Sequence, residues 1–370
     1  MVAADVADLL SALVAIDSVN PSLVPGGAGE AEIAGYIAKW AANHALEVSV
    51  FDATPGRPSV VVRSRGSGGG PTLLLCGHID TVTVEGMTVE PFSPRIDGDR
   101  LYGRGAYDMK AGVAAALIAC REAAHLDLAG DVVVAAVADE EHASLGVQEV
   151  LRSVQADAAI VTEPTELEVA IAHKGFVWAE IDVAGRAAHG SRPHLGEDAI
   201  VKAGPVLSAI GALDDSLAAR EHPLLGRGSV HASTITGGEE MSSYPARCTI
   251  GLERRTLPGE TAADVEAEIA ALAGDAQQRT LLVREPFEIA PDAEIVGVVR
   301  EAAALATGRT PPIGGASYWA DAAFIAAAGI PTVLFGPSGE GAHAAEEWVS
   351  LGDTKAVARA LVATALKFCA

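Results

Sequence analysis

The sequence predicts an α/β protein interrupted by an α+β insertion, and three observations carry that prediction. From about residue 47 to 172, apolar runs of strand character alternate with amphipathic helical stretches. Between 174 and 287 the order becomes strand, helix, strand, strand, helix, strand, and after 288 the first alternation resumes. The expected divisions are therefore 1–173 and 288–370 for one domain and 174–287 for the other. A chain of 370 residues, 49% of them apolar, is long enough to bury two separate cores.

The first segment, MVAADVADLLSALVAID, spaces its apolar residues at helical intervals and lacks a basic leading stretch, so it reads as a helix and not as a signal peptide. EVSVFD, SVVVRSR and TLLLCGHID follow as strands, with GSGGG at 66–70 as a surface loop. A helix is expected through MKAGVAAALIACREAAHL, then a strand in DVVVAAVADEE, a helix from about Leu145 to Ser153, and a strand in DAAIVTE. Apolar strands separated by such helices form a sheet covered on both faces, whose ligands lie beyond the strands' carboxyl ends. In the insertion, GFVWAEIDVAG, SVHASTITGG, ARCTIGLERRT and RTLLVRE are strands, and DAIVKAGPVLSAIGAL and TAADVEAEIAALAG are helices. That order is the ferredoxin-like split βαββαβ unit. Helices near Ala293–Leu305 and Asp321–Ala328, the strand IPTVLFG and a helix from Asp353 close the chain.

A formal charge of −23 argues against nucleic acid, whose phosphates need clustered Lys and Arg. Cys76, Cys120, Cys248 and Cys369 are far apart and form no CxxC pair, which favours a reducing compartment. No stretch approaches the length of a membrane span. A cytoplasmic protein is expected.

The chemistry is carried by acids and histidines at strand ends and turns: His78 and Asp80 in CGHIDTV, Asp108 in GRGAYDMK, Glu140 and Glu141 in VADEEHASLG, Glu163 in VTEPT, and His343 in GEGAHAAEEW. Together they supply five ligands, a spare carboxylate for a base and an Asp to orient a ligand, the inventory of a two-metal hydrolase. Each residue also has a plainer reading. His78 and Asp80, two apart at a strand end, project the same way, so Asp80 either fixes the tautomer of a metal-bound imidazole or is a turn Asp beside a core His. Asp108 either caps a helix or bridges two cations. Asp139, Glu140 and Glu141 repel one another unless cations or shared protons relieve them; otherwise they form a solvated loop. With metals present, one of the two Glu residues binds an ion and the other takes a proton from water. Glu163 and His343, taken singly, are an ordinary extended-chain Glu and loop His.

The ordered set GHIDTV, GRGAYDMKAG, ADEEHASLG, TEPT, GRAAHGSRP, TLPGE and FGPSGEGAH resembles the M20 metallopeptidase and amidohydrolase family, which includes acetylornithine deacetylases, succinyl-diaminopimelate desuccinylases, aminoacylases and glutamate carboxypeptidases. The resemblance covers nearly the whole chain. It implies a mixed-sheet, zinc-peptidase-like catalytic domain with an inserted lid that also serves dimerisation. It further implies two divalent ions, usually zinc with cobalt or manganese as substitutes, one held by His78, Asp108 and Glu163 and the other by Asp108, Glu141 and His343. Glu140 is then the general base and Asp80 orients His78. His189 matches the lid histidine that bonds the scissile carbonyl oxygen, in dimeric relatives within the partner's site, and Arg255 matches the arginine that grips a substrate carboxylate. Strand alternation lets only one of Arg254 and Arg255 face the cleft. Two departures bear on specificity. Ser242 stands where relatives commonly carry Asn as a substrate contact, and the segment 314–321, GGASYWAD, lacks the GTD-like or GTEA-like wording of several subfamilies and is expected to line the pocket, with Tyr318 and Trp319 making a bulky wall.

The expected substrate is a small N-acyl amino acid, with a dipeptide or peptide carboxy-terminus as the alternative, because the metal core is the same and the lid and pocket decide. A scaffold that had lost its chemistry would lack a ligand or the base, and all are present. A nucleophile-dependent hydrolase would need a Ser or Cys with a His base, and no G-x-S-x-G elbow occurs.

Overall fold

All six residues of Leu73–His78 and all six of Val132–Val137 are buried, as parallel strands covered on both faces require. These two pair in parallel, Leu73–His78 pairs in parallel with Ala158–Val161, and that strand pairs in parallel with Thr332–Leu334. Antiparallel strands flank the group: Ser59–Ser64 and then Glu47–Phe51 on one side, Val169–His173 on the other. The sheet is thus mixed, as the family resemblance implies, in this computed structural model, which describes residues 2–370 and side chains from Asp5 onward. Met1, at the start of the first predicted helix, lies outside the described residues.

The chain forms two units. One comprises residues up to Ile171 together with Ile289–Gly314 and Ala320–Ala370; the other comprises Ala172–Glu288 and Gly315–Trp319. In the first, helix Ala111–Ala123 lies on the sheet and is covered by helices Val2–Val14 and Leu351–Phe368, so that all its residues except Arg121 and Glu122 are buried. Such close approach requires small residues. A Cβ on Gly112 would stand 2.0 Å from the Thr162 carbonyl oxygen, so any side chain there forces the helix off the strand ends. Helix Leu351–Phe368 starts at Ser350, whose hydroxyl accepts the N–H of Asp353.

Several elements differ from the expected ones. Helix Leu145–Val150 stops short of Ser153, helix Ala31–Asn43 was not expected, and Val169–His173 is a strand of its own. Four short strands, Arg95–Asp97, Arg100–Tyr102, Gly339–Glu340 and Trp348–Ser350, form a separate small sheet. Strands of two or three residues carry no readable periodicity and exist because partners far along the chain meet them.

The second unit is a four-stranded antiparallel sheet in the order Ser229–Gly237, Arg247–Thr256, Gly175–Ala184, Gln277–Arg284. With helices Ala199–Leu217 and Ala262–Ala273 this is the ferredoxin-like arrangement. Val177, Ala179, Ile181 and Val183 alternate along the central strand to form its core with Ile250, Leu252, Val265 and Ile269. Asp198 caps the first helix, and Thr261 and Asp264 form a capping box on the second.

Candidate metal centre

The carboxyl ends of three adjacent parallel strands deliver most of the candidate ligands. His78 ends its strand, Glu140 and Glu141 follow Val137, and Glu163 follows Val161; the register places His78 beside Val137 and Cys76 beside Val161. Asp108 arrives on an irregular turn between Arg100–Tyr102 and helix Ala111–Ala123, with Lys110 at the helix start, so it does not cap that helix. The peptide bond after Asp108 is cis, and Gly105, at φ 74°, turns the chain where a Cβ would meet Thr81 at 2.6 Å. The Lys110 ammonium anchors the far end of the turn by donating to the carbonyls of Leu13 and Ile16, and burial lowers its pKa to about 7. His343 sits in the loop between two strands of the small sheet, at φ 61°.

Two groups of three candidate ligands result, and Asp108 belongs to both. In one, His78 Nε2 lies 3.1 Å from Asp108 Oδ1 and 3.9 Å from Glu163 Oε1. In the other, His343 Nε2 lies 3.3 Å from Asp108 Oδ2 and 3.1 Å from Glu141 Oε2. Within each group the ligating atoms lie within 4.8 Å of one another. Atoms held about 2.0–2.2 Å from a tetrahedral zinc ion stand about 3.3–3.6 Å apart, so side-chain shifts of a few tenths of an ångström would bring each group around a cation. Glu140 belongs to neither group.

The donor set fits a cation on chemical grounds as well. His78 Nδ1 faces the carbonyl oxygen of Asp80 at 3.0 Å, an acceptor only, so Nδ1 carries the hydrogen. The Nε2 lone pair then points at carboxylate oxygens, an arrangement that a proton or a metal ion must relieve. Burial opposes protonation of His78, but the bonds to Asp108 and Asp80 and the charge of Glu163 outweigh it and push its pKa well up. Hydrogen bonds to the carboxylates of Asp108 and Glu141, which accept from its ring, likewise raise His343, to about 10. Asp108 is held low, since bonds from His343 and His78 overcome its burial. Glu140, Glu141 and Glu163 are raised, first by burial and then by neighbouring carboxylates. Acids forced to share protons in this way are poised to exchange them for divalent cations.

Asp80 contacts His78 more closely through its carbonyl than through its carboxylate, which lies 3.6 Å from Nδ1. The carboxylate instead accepts the backbone N–H groups of Glu140 and Glu141 at 3.1 and 3.2 Å, fixing the turn that presents both. Asn20, which belongs to none of the motifs, donates to Asp80 at 2.7 Å and to Asp139 at 3.1 Å. Arg57 continues the network, bonding Asp139 at 2.8 Å and Glu30 in a two-pronged pair at 2.6 Å. The charge of Asp139 is therefore balanced by an arginine and an amide, whereas Glu140 and Glu141 keep the mutual repulsion that protons or cations relieve. No local pattern announces Asn20 or Arg57; their only signal is a polar residue among residues destined for burial. Arg57→Leu should destabilise the protein by about 3–5 kcal/mol, because Glu30 and Asp139, both fully buried, lose their counter-ion. Urea unfolding at neutral pH reads this, and a loss under 1 kcal/mol would contradict the burial argument.

His189, Ser242 and Arg255 lie in the second unit. His189 is exposed, on a loop held to residues 242–244 by the N–H of Gly190 donating to Ser242 O and that of Tyr244 to Ala188 O. The N–H of Ser191 donates to His189 Nδ1, which places the ring hydrogen on Nε2. Ser242 donates its hydroxyl to Glu240. Arg254 is buried between Glu260 and Glu268, whereas Arg255 on the opposite face pairs with Glu253 at 2.7 Å and lies over the Phe176 ring. The Trp319 indole N–H donates to the carbonyl of Glu285 within the same unit.

A mixed sheet whose parallel strand ends and adjoining loops gather two candidate metal-binding groups around one shared carboxylate, with a further glutamate outside both, is the arrangement expected of a metal-dependent hydrolase. The profile of peptidase family M20/M25/M40 matches residues 74–367, and the chain belongs to that family. It is 28% identical to an acetylornithine deacetylase of Salmonella arizonae over 98% of this chain and 97% of that protein. In fold it resembles the M20 metallo-carboxypeptidase Sso-CP2 of Sulfolobus solfataricus, with a TM-score of 0.81 at 18% identity over 98% of both chains. It also resembles the YxeP protein of Bacillus subtilis, a dinuclear metal-binding M20 peptidase, with a TM-score of 0.75 at 17% identity over 100% of this chain and 98% of that one. The protein is accordingly an enzyme that hydrolyses linear amide or peptide bonds. Among the described residues no helix is long and apolar enough to cross a membrane.

Proposed function

We propose that the protein is a binuclear amidohydrolase that removes the acyl group from an N-acyl amino acid, in the manner of acetylornithine deacetylases and succinyl-diaminopimelate desuccinylases. The observation that carries the reading is Asp108 shared between two ligand triads, with Glu140 beside them and bound to neither. His78, Asp108 and Glu163 hold one ion and Asp108, Glu141 and His343 the other, with zinc the best fit to their imidazole and carboxylate donors. When bound, the ions supply Lewis acidity toward the amide carbonyl and toward water. Glu140 takes the proton of the attacking water and delivers it to the leaving nitrogen, a task suited to a carboxylate whose pKa its surroundings raise. Asp80 holds the Glu140–Glu141 turn and the His78 ring.

The second unit serves as the lid. His189, hydrogen on Nε2, donates to the developing oxyanion, and Arg255, steadied by Glu253, binds the substrate carboxylate. Ser242, on the segment bonded to the His189 loop, offers a shorter polar group than asparagine. Exposed Ile200, Val201 and Leu207 on helix Ala199–Leu217, next to the one-sided edge strand Ser229–Gly237, support a homodimer formed through this unit. Four buried, unbridged cysteines support a cytoplasmic setting.

Zinc-reconstituted protein assayed against N-acetyl amino acids, N-succinyl amino acids and dipeptides tests the substrate class. Turnover of the acyl compounds supports the deacylase, and turnover of dipeptides alone replaces it with a peptidase. His189→Ala should lower kcat by about 10²–10³-fold with zinc content unchanged; unaltered turnover would remove His189 from the mechanism.

A further inference from the structure

We propose that Glu347, clamped by Arg104, is a positioning residue that sets the Asp108–His343 side of the metal centre, an inference that rests on the binuclear reading above. Glu347 is fully buried, four residues beyond His343, while its neighbour Glu346 is exposed. Its Oε1 accepts the backbone N–H groups of Tyr107 and Asp108 at 2.9 and 3.1 Å. Its Oε2 accepts the N–H of Gly105 at 2.9 Å and Arg104 Nη1 at 2.7 Å. A carboxylate has about four lone-pair sites, and here all are engaged, so Glu347 has none left for an ion.

The same arginine reaches the other ligand. Arg104 Nη2 donates to the carbonyl of Ala344, the residue after His343, and Nε donates to the carbonyl of Thr83. The N–H of Gly103 donates to the Glu347 carbonyl, and Trp348 pairs with Tyr102, so the small sheet brings the two loops into register. Asp108 and His343 lie far apart in sequence, yet the Asp108 N–H and the carbonyl of Ala344, one residue past His343, are fastened to one ion pair. His343 holds a left-handed conformation that a non-glycine residue keeps only where its surroundings fix it. Glu347 and Arg104 thus determine whether the Asp108 carboxylate can present one oxygen to each ligand group, and whether His343 stands opposite it.

Glu347→Gln tests this, because an amide must turn its NH₂ group toward N–H donors that now bond a carboxylate oxygen. Demetallated E347Q and the unsubstituted protein are titrated with Zn2+ against a chelating dye. Affinity for the ion that needs His343 should fall by about 10–100-fold in E347Q, the range seen when a ligand's hydrogen-bonding partner is lost, with a smaller change at the His78 group. The conservative R104K variant keeps the positive charge but loses the fork that holds Ala344, and it should weaken the same ion; it decides the matter if E347Q does not fold. Unsubstituted affinity at both sites in the folded variants, even with lowered thermal stability, makes the clamp a brace and overturns the proposal. An unsubstituted protein that takes up fewer than two ions overturns the binuclear reading, and the clamp with it.

Discussion

Glu140→Gln lowers kcat by about 10²–10⁴-fold, the span that a positioned general acid–base contributes. It does so with the zinc content unchanged, because Glu140 lies in neither ligand group. The backbone N–H of residue 140 still donates to Asp80, so Glu141 keeps its place in the turn. What disappears is a carboxylate whose pKa is raised by burial and by Glu163 and Asp321, against the opposing charge of His78. KM changes little, since the loss falls on the transition state and not on substrate binding. Steady-state kinetics with metal analysis on the same sample checks both halves. Full activity in E140Q, or zinc lost in parallel with activity, would assign the base elsewhere.

Asp108→Ala has the opposite signature. Its two oxygens face His78 and His343 separately, at 3.1 and 3.3 Å, so one substitution removes a ligand from both groups. Affinity for each ion falls by more than the about 10–100-fold that follows loss of a ligand's outer partner, and hydrolysis disappears with the ions. Its removal also leaves His78 Nε2 and His343 Nε2 without a shared partner, so each loses a hydrogen bond that raises its pKa. Zinc titration of the demetallated variant gives the answer. Retention of one ion at unsubstituted affinity would show that Asp108 does not bridge.

The contrast between these two acids shows what was legible in the sequence. Apolar runs ending in His78, Val137 and Val161 identified the parallel strands and hence the edge on which ligands gather, because burial on both faces leaves a continuous apolar signature. The βαββαβ order of the second unit was readable for a related reason, since Val177, Ala179, Ile181 and Val183 alternate as a half-buried strand must. Residues that act through long-range pairing were not readable. Glu347 beside Glu346 looks like one of two surface acids, and only the pairing of Trp348 with Tyr102 shows that one turns inward. Asn20 and Arg57 lie in a stretch without periodicity, and their roles come from Asp80 and Asp139, which fold against them. The HxD spacing points Asp80 at His78, but its hold on the N–H groups of Glu140 and Glu141 follows from the turn's three-dimensional path.

Anomalous diffraction from crystals of the zinc-loaded protein tests the central claim most directly. Two zinc peaks per chain, about 3.5–4 Å apart as in two-metal sites, should appear with Asp108 between them, His78 and Glu163 on one, and Glu141 and His343 on the other. A single peak, or two peaks away from these side chains, would contradict the account.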